Sequence, residues 1–146
     1  MKTTNLQSYA PILLRYGMCI VILWFSIQQF LHPDVWVAYV PDGAVSASHL
    51  SATTLVYINA TFEGVFGLLL LVGYQTRWVA LLLALHLFDI MWVVGYGQIA
   101  VRDFGLAIAT LSISLYGSDK LCLDYKELQE IEVISQPESR PLQKRI

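Results

Sequence analysis

Three residues of this chain stand out as able to do chemistry, because Glu63, His86 and Asp89 each sit deep inside a stretch otherwise built from apolar side chains. Counted at 1.5 Å per residue from the stretch end nearest Arg77, Glu63 lies roughly 15 Å in, His86 roughly 12 Å and Asp89 roughly 16 Å. A charge at the centre of a bilayer costs about 2.5 to 3.5 kcal/mol, so such residues face a protein interior, find partners and mark ligand, proton or ion paths. A histidine near two acids is also a group that exchanges protons near neutral pH. The bland alternative is that the same residues only lock helices in register.

Helical spacing sorts the neighbours of these residues onto faces. Asn59, Glu63 and Gly67 recur every four residues, His86, Asp89 and Val93 share a second face, and Arg102, Gly105, Ala109 and Ser112 a third. Small residues on such faces let membrane helices approach closely. Arg102 and Asp103 fall at a helix start, with Asp89 about 9 Å below that rim, so an Asp89–Arg102 ion pair is expected over a cavity holding Glu63 and His86. Arg15, one turn into the first stretch, is either an anchor that snorkels to the interface or a buried partner of Glu63. A metal triad of Glu63, His86 and Asp89 is set aside because the arginines compete for the same acids. A haem is set aside because His32 and His49 fall in a loop, leaving His86 without a second axial ligand.

The elements that must position these groups follow from composition. Of 146 residues 56% are apolar and only 14% charged, too little polar surface to cover a water-soluble core. The apolar residues form four blocks, each close to the roughly 20 residues needed to span hydrocarbon. The expected spans are 12–31, 54–72, 78–94 and 101–116, an all-α integral membrane four-helix bundle over residues 1–117. Pro11 suits a first helical turn. Gly73, Gly95 and Gly117 follow three of the spans, where glycine ends helices in the left-handed conformation. Residues 118–146 are expected as a tail on the cytoplasmic side, partly disordered, with breaks at Pro137 and Pro141.

Six of the eleven acidic and five of the nine basic residues come after Gly117. Lys2, Arg77 and the tail lysines and arginines lie on one side of the spans, which places both termini in the cytoplasm and the protein in the inner membrane. Arg77 reads as an anchor there. The loop from His32 to Ala52 has no Lys or Arg, and its Trp36 and Tyr39 read as interfacial anchors lying on the membrane. No basic cluster interleaved with aromatics suggests nucleic acid. Cys19 and Cys122 have no Cys-x-x-Cys spacing and read as packed bystanders.

The order of several short signatures resembles the DoxX family of small four-helix membrane proteins. They are Arg15, Leu23-Trp24 with Gln28-Gln29, Trp36 to Pro41, Glu63-Gly64, Thr76-Arg77, Arg102-Asp103-Phe104-Gly105-Leu106, and Gly117 with Leu121-Cys122-Leu123-Asp124. The resemblance implies the four-helix architecture and, through relatives in thiosulfate:quinone oxidoreductase, an accessory place in a membrane redox system. This chain has Phe25, Ser26 and Gln29 where many relatives carry a polar residue, a glycine and a lysine, so a lysine-dependent ligand contact is not expected.

The expected binding set is therefore Asn59, Glu63, His86, Asp89, Arg102, Asp103, Trp24 and Gln28, with no catalytic residue and no metal. The ligand is a quinone, against the rings of Trp24, Trp92 and Phe62, or a small sulfur oxyanion held by Arg102. Partners are the lipid bilayer, other subunits of a membrane redox complex and a second copy in a homo-oligomer. The rival readings are a transporter or proton-coupled channel through the same stripe, and a membrane chaperone or assembly factor.

Overall fold

The computed structural model describes residues 7–125. The tail expected beyond that point, with its prolines and most of its charge, lies outside the described residues.

Four long helices account for most of the chain. They are α1 (Ala10–Leu31), α4 (Ala52–Val72), α5 (Thr76–Val94) and α6 (Gln98–Tyr116), with two short helices, α2 (Pro33–Val37) and α3 (Asp42–Ser48), in the loop between α1 and α4. Each long helix has the length and apolarity of a membrane span. In the most apolar 18 residues of each, only 28% are buried within the protein. Most of the apolar surface therefore needs cover that the chain does not supply, and lipid supplies it.

The C-terminal ends fall where the sequence puts them. Gly73, Gly95 and Gly117 are the caps of α4, α5 and α6, with φ of 71°, 75° and 87°. In the first of these the Gly73 and Tyr74 N–H groups both donate to Leu69 O, closing the helix end. The helix starts lie two or three residues earlier than hydropathy suggests, since Ala52, Thr76 and Gln98 begin helices without being strongly apolar. Ser51 supplies one of these starts with a cap, its side chain accepting from Thr54 N–H.

Buried residues recur every three or four positions on every long helix, which turns one stripe of each toward the bundle axis. On α1 the stripe is Arg15, Met18, Cys19, Ile22, Ser26 and Gln29. On α4 it is Val56, Ala60, Glu63, Gly67 and Leu70. The α1–α4 contact is close because α4 has glycines at the crossing: a Cβ on Gly64 would stand 2.8 Å from Ser26 Oγ, and one on Gly67 3.0 Å from Leu23 Cδ2. Ser26 Oγ also donates to Ala60 O at 2.8 Å.

On α6 the expected small-residue face serves the bundle only in part, Ala109 alone of its small residues packing against the core. The buried stripe is Ala100, Asp103, Ala107, Thr110 and Ile113. Arg102, Gly105 and Ser112 are exposed, and nothing lies within 4 Å of where a Gly105 Cβ would be.

The end of the bundle nearest Gly73 and Gly117, called here the tail end, is tied together by charge. Arg15 is fully buried, its Nε 2.7 Å from Asp119 Oδ2, and one terminal nitrogen donates to Leu70 O at 2.8 Å and Leu71 O at 2.7 Å. Those carbonyls belong to the last turn of α4, where helix carbonyls lack helical partners and a cation is favoured. Arg15 is thus neither a snorkelling anchor nor a partner of Glu63, which lies seven residues, roughly 10 Å, deeper along α4.

Residues 118–125 pack back on the bundle rather than leaving it at Gly117. Asp124 accepts from Gln75 N–H at 2.8 Å and Thr76 N–H at 2.7 Å, placing a carboxylate on the N-terminus of α5. Cys122 is fully buried against Gly73, and Cys19 is fully buried in the core, both as free thiols. Arg77 lies in the first turn of α5, with its guanidinium over Gly117 and its carbonyl accepting from Ser114 Oγ at 2.9 Å.

Candidate functional site

The loop end of the bundle holds a cavity of about 400 Å³, within the range that binds small molecules. Its floor is a polar network reached from three helices. Gln29 on α1 donates to Glu63 Oε2 at 2.6 Å, while Asn59 on α4 donates to Gln29 Oε1 at 2.7 Å and to Glu63 Oε1 at 3.2 Å. His86 on α5 brings Nε2 to 3.7 Å from Glu63 Oε1, too far for a hydrogen bond. That nitrogen is buried and has no hydrogen-bond partner among the described residues. The His86 ring packs on Phe62 at 4.5 Å between centroids.

The walls and roof are apolar and aromatic. Phe25 of α1 lies edge-on to Trp36 of α2 at 5.6 Å, and Trp36, Tyr39, Val40 and Pro41 close the loop end over the floor. The loop was expected to lie on the membrane with Trp36 and Tyr39 as anchors. Trp36 packs on Phe25 and lines the cavity, while Tyr39 beside it lines the same space and stays 44% exposed, so the loop covers this end of the bundle.

Arg102 does not pair with Asp89. Its Nε bonds Asp103 Oδ1 at 2.7 Å, and its guanidinium stacks over the Phe25 ring at 4.6 Å. Adjacent residues on a helix start can pair at once, and Phe25 draws the cation toward α1. Asp89 borders the cavity but is exposed, and no hydrogen bond or ion pair reaches it among the described residues. The single-cavity reading keeps Asn59, Glu63, His86, Asp89, Arg102 and Asp103 around one space, but without the ion pair that was its main support.

Trp24 and Gln28 do not line the cavity; Phe25 and Gln29 do. Trp24 is exposed on the far side of α1, and Trp92 is 83% exposed on α5. The error is one of helical phase. Alternating steps of three and four from Arg15 pass through Met18, Ile22 and Phe25 to Gln29, so the signal was present in the arginine's own register. Asp119 carried no such signal, because only folding of the segment after Gly117 brings it to Arg15.

Between floor and tail end the bundle core is apolar. Met18, Cys19, Ile22, Leu70, Val79, Ala80, Leu83 and Ile113 form one buried cluster there. Among the described residues, no group of three or more His, Cys, Asp or Glu side chains is placed to hold a metal.

The tail-end carboxylates are shifted for physical reasons. Burial opposes ionisation of Asp119, but the hydrogen bond from Arg15 and the Leu121 N–H outweigh it and hold the carboxyl below its ordinary range. Asp124 is likewise opposed by burial and held low by the Thr76 and Gln75 N–H groups. Burial pushes the Cys122 thiol up, so it stays a thiol and packs as one.

Fold and cavity together define a small multi-pass membrane protein with a polar-floored site in one half of a four-helix bundle. Residues 10–96, more than half of the chain, match the DoxX family model, and the protein belongs to the DoxX family. That match covers α1 to α5, so the Arg102-Asp103 and Leu121 to Asp124 signatures lie beyond it. Searches of curated proteins and of solved structures return no match.

Proposed function

We propose that this protein is a non-catalytic accessory subunit of a membrane redox system that holds a quinone ring in the cavity at the loop end. The observation that carries the reading is the floor: Glu63, clamped by Gln29 and Asn59, with the buried Nε2 of His86 beside it, which has no hydrogen-bond partner among the described residues. A buried polar group without a partner costs roughly 1 to 3 kcal/mol, which a turn of the His86 ring toward a ligand carbonyl in the cavity relieves. Apolar walls with a few convergent polar groups suit a neutral ring with polar edges. The sulfur oxyanion is the weaker choice, because Glu63, Asp89 and Asp103 outnumber Arg102 around the space and Arg102 is already bonded to Asp103. A transport path is disfavoured by the buried apolar cluster between floor and tail end.

In this reading both termini face the cytoplasm and the cavity lies in the half of the bundle toward the other side of the inner membrane, as the placement of Lys and Arg suggests. The test is quenching of Trp36, which lines the cavity, by ubiquinone-1 in nanodiscs. His86→Phe removes the donor at similar size and should weaken binding about tenfold, or roughly 1.4 kcal/mol. Equal affinity in wild type and His86→Phe, or equal quenching after Trp36→Phe, would sink the proposal. A quinone-reactive oxidoreductase should also co-purify from the native membrane.

A further inference from the structure

We infer that the cavity holds the reduced form of its ligand, a hydroquinone, in preference to the quinone, and that Asp89 makes the selection by accepting a hydrogen bond from a ring hydroxyl. This preference rests on the quinone reading above, to which it adds the redox form of the ring. Asp89 borders the cavity on α5, is exposed, and among the described residues no hydrogen bond or ion pair reaches it. It stands six residues, roughly 9 Å, inward of Gly95 on a membrane helix. Ionisable groups at such depth find partners or mark the path of a ligand. Here the described protein supplies no partner, so the ligand is the group left to meet the carboxylate.

Hydrogen-bond chemistry then separates the two redox forms. An ionised carboxylate only accepts hydrogen bonds, and so does a carbonyl oxygen, whereas a hydroxyl both donates and accepts. A quinone oxygen beside Asp89 sets an acceptor against an acceptor. A hydroquinone hydroxyl donates to the same carboxylate in a charge-assisted bond, roughly twice as strong as a neutral one. The donors that line the cavity, His86 and Arg102, do not discriminate in this way, because the ligand oxygen accepts in either form. On the floor Gln29 and Asn59 both donate to Glu63, which holds that carboxylate as a second acceptor and deepens the bias.

Spacing along α5 lets one ring reach both kinds of group. His86 and Asp89 both line the cavity. Residues three apart on a helix share a face with their Cβ atoms about 5 to 6 Å apart, close to the separation of the two oxygens across a para-hydroquinone. One hydroxyl meets the turned ring of His86 while the other donates to Asp89. By linkage, a tenfold preference for the reduced form raises the two-electron potential of the bound couple by about 30 mV over the free couple. The reaction that supplies such a ligand is the reduction of a quinone by two electrons and two protons.

Ubiquinol-1 and ubiquinone-1, titrated under argon into nanodiscs carrying the full chain and corrected for empty nanodiscs, give the two affinities by calorimetry. Wild type should bind the quinol about tenfold more tightly than the quinone, the worth of one hydrogen bond to a charged group. Asp89→Asn, whose amide both donates and accepts, should weaken the quinol about tenfold and leave the quinone at least as tightly bound, so the preference disappears. His86→Phe should weaken both forms alike and keep the preference. Because Asp89 is exposed and bonds nothing among the described residues, Asp89→Asn should not lower the thermal melt; a lower melt would reveal a structural partner and overturn the inference. Equal affinities in wild type, a tighter quinone, a preference that survives Asp89→Asn, or one that vanishes in His86→Phe would also overturn it while the quinone site stands. Failure of both forms to bind wild type would remove the quinone site itself, and the selection with it.

Discussion

Replacing Arg15 by Met tests the tail-end architecture most directly. The guanidinium is fully buried, bonds both oxygens of Asp119 at 2.7 and 3.2 Å, and caps the last turn of α4 through Leu70 O and Leu71 O. Methionine keeps the packing volume but leaves the Asp119 carboxylate buried without its cation. Breaking one side of a buried pair costs about 3 to 5 kcal/mol, most of it the uncompensated charge, and the freed carbonyls add to this. Asp119→Leu should cost a similar amount, and also strands the Leu121 N–H that donates to Asp119 at 2.9 Å. The double variant Arg15→Met/Asp119→Leu should fall short of the sum by at least about 1 kcal/mol, since residues in one network couple. Arg15→Lys should be intermediate, keeping the charge but losing the planar fork. The assay is equilibrium unfolding in mixed micelles followed by circular dichroism. A loss below about 1 kcal/mol for Arg15→Met, or additivity within about 0.5 kcal/mol, would refute the reasoning.

Three further outcomes follow from the same end of the molecule. Asp124→Asn removes the charge at the start of α5 while keeping a weaker acceptor, and should cost about 0.5 to 1 kcal/mol in the same unfolding assay. Because Asp119 and Asp124 both have lowered folded pKa values, their contribution is complete above the unfolded carboxylate pKa of about 3.9 and is lost as pH falls below it. Wild type should therefore lose stability on acidification through that range, and Asp124→Asn should lose less. Gly73→Ala should cost about 2 kcal/mol or more, because Gly73 has φ of 71° and an added Cβ would stand 2.5 Å from the Cys122 Cα, which is backbone and cannot turn aside; the loss of protection should appear in hydrogen exchange at the α4–α5 turn.

The spans and their ends were legible in the chain because they rest on local physics. Four apolar blocks of the right length leave no alternative to helices in lipid, where every backbone polar group must be bonded within the segment. Gly73, Gly95 and Gly117 mark helix ends through a φ that other residues resist. The depth of Glu63 and the Asn59–Glu63 face follow from rise and periodicity alone, and the structure joins those two residues directly.

What only the tertiary structure decided was which charge meets which and which face of each helix turns inward. Arg15 had Glu63 as an attractive partner on paper, but a guanidinium has fixed reach, and Asp119 arrives at its level once Gly117 turns the chain back. Arg102 had Asp89, but its neighbour Asp103 and the Phe25 ring were nearer after packing. On α1 a rotation of one residue, about 100°, exchanges Gln28 for Gln29 and Trp24 for Phe25 as cavity lining. In a span apolar on all sides, hydropathy cannot fix that rotation, because lipid and protein interior reward the same side chains. The rotation is set instead by glycines at a crossing, by Ser26 on Ala60 O and by the few polar groups that must find one another.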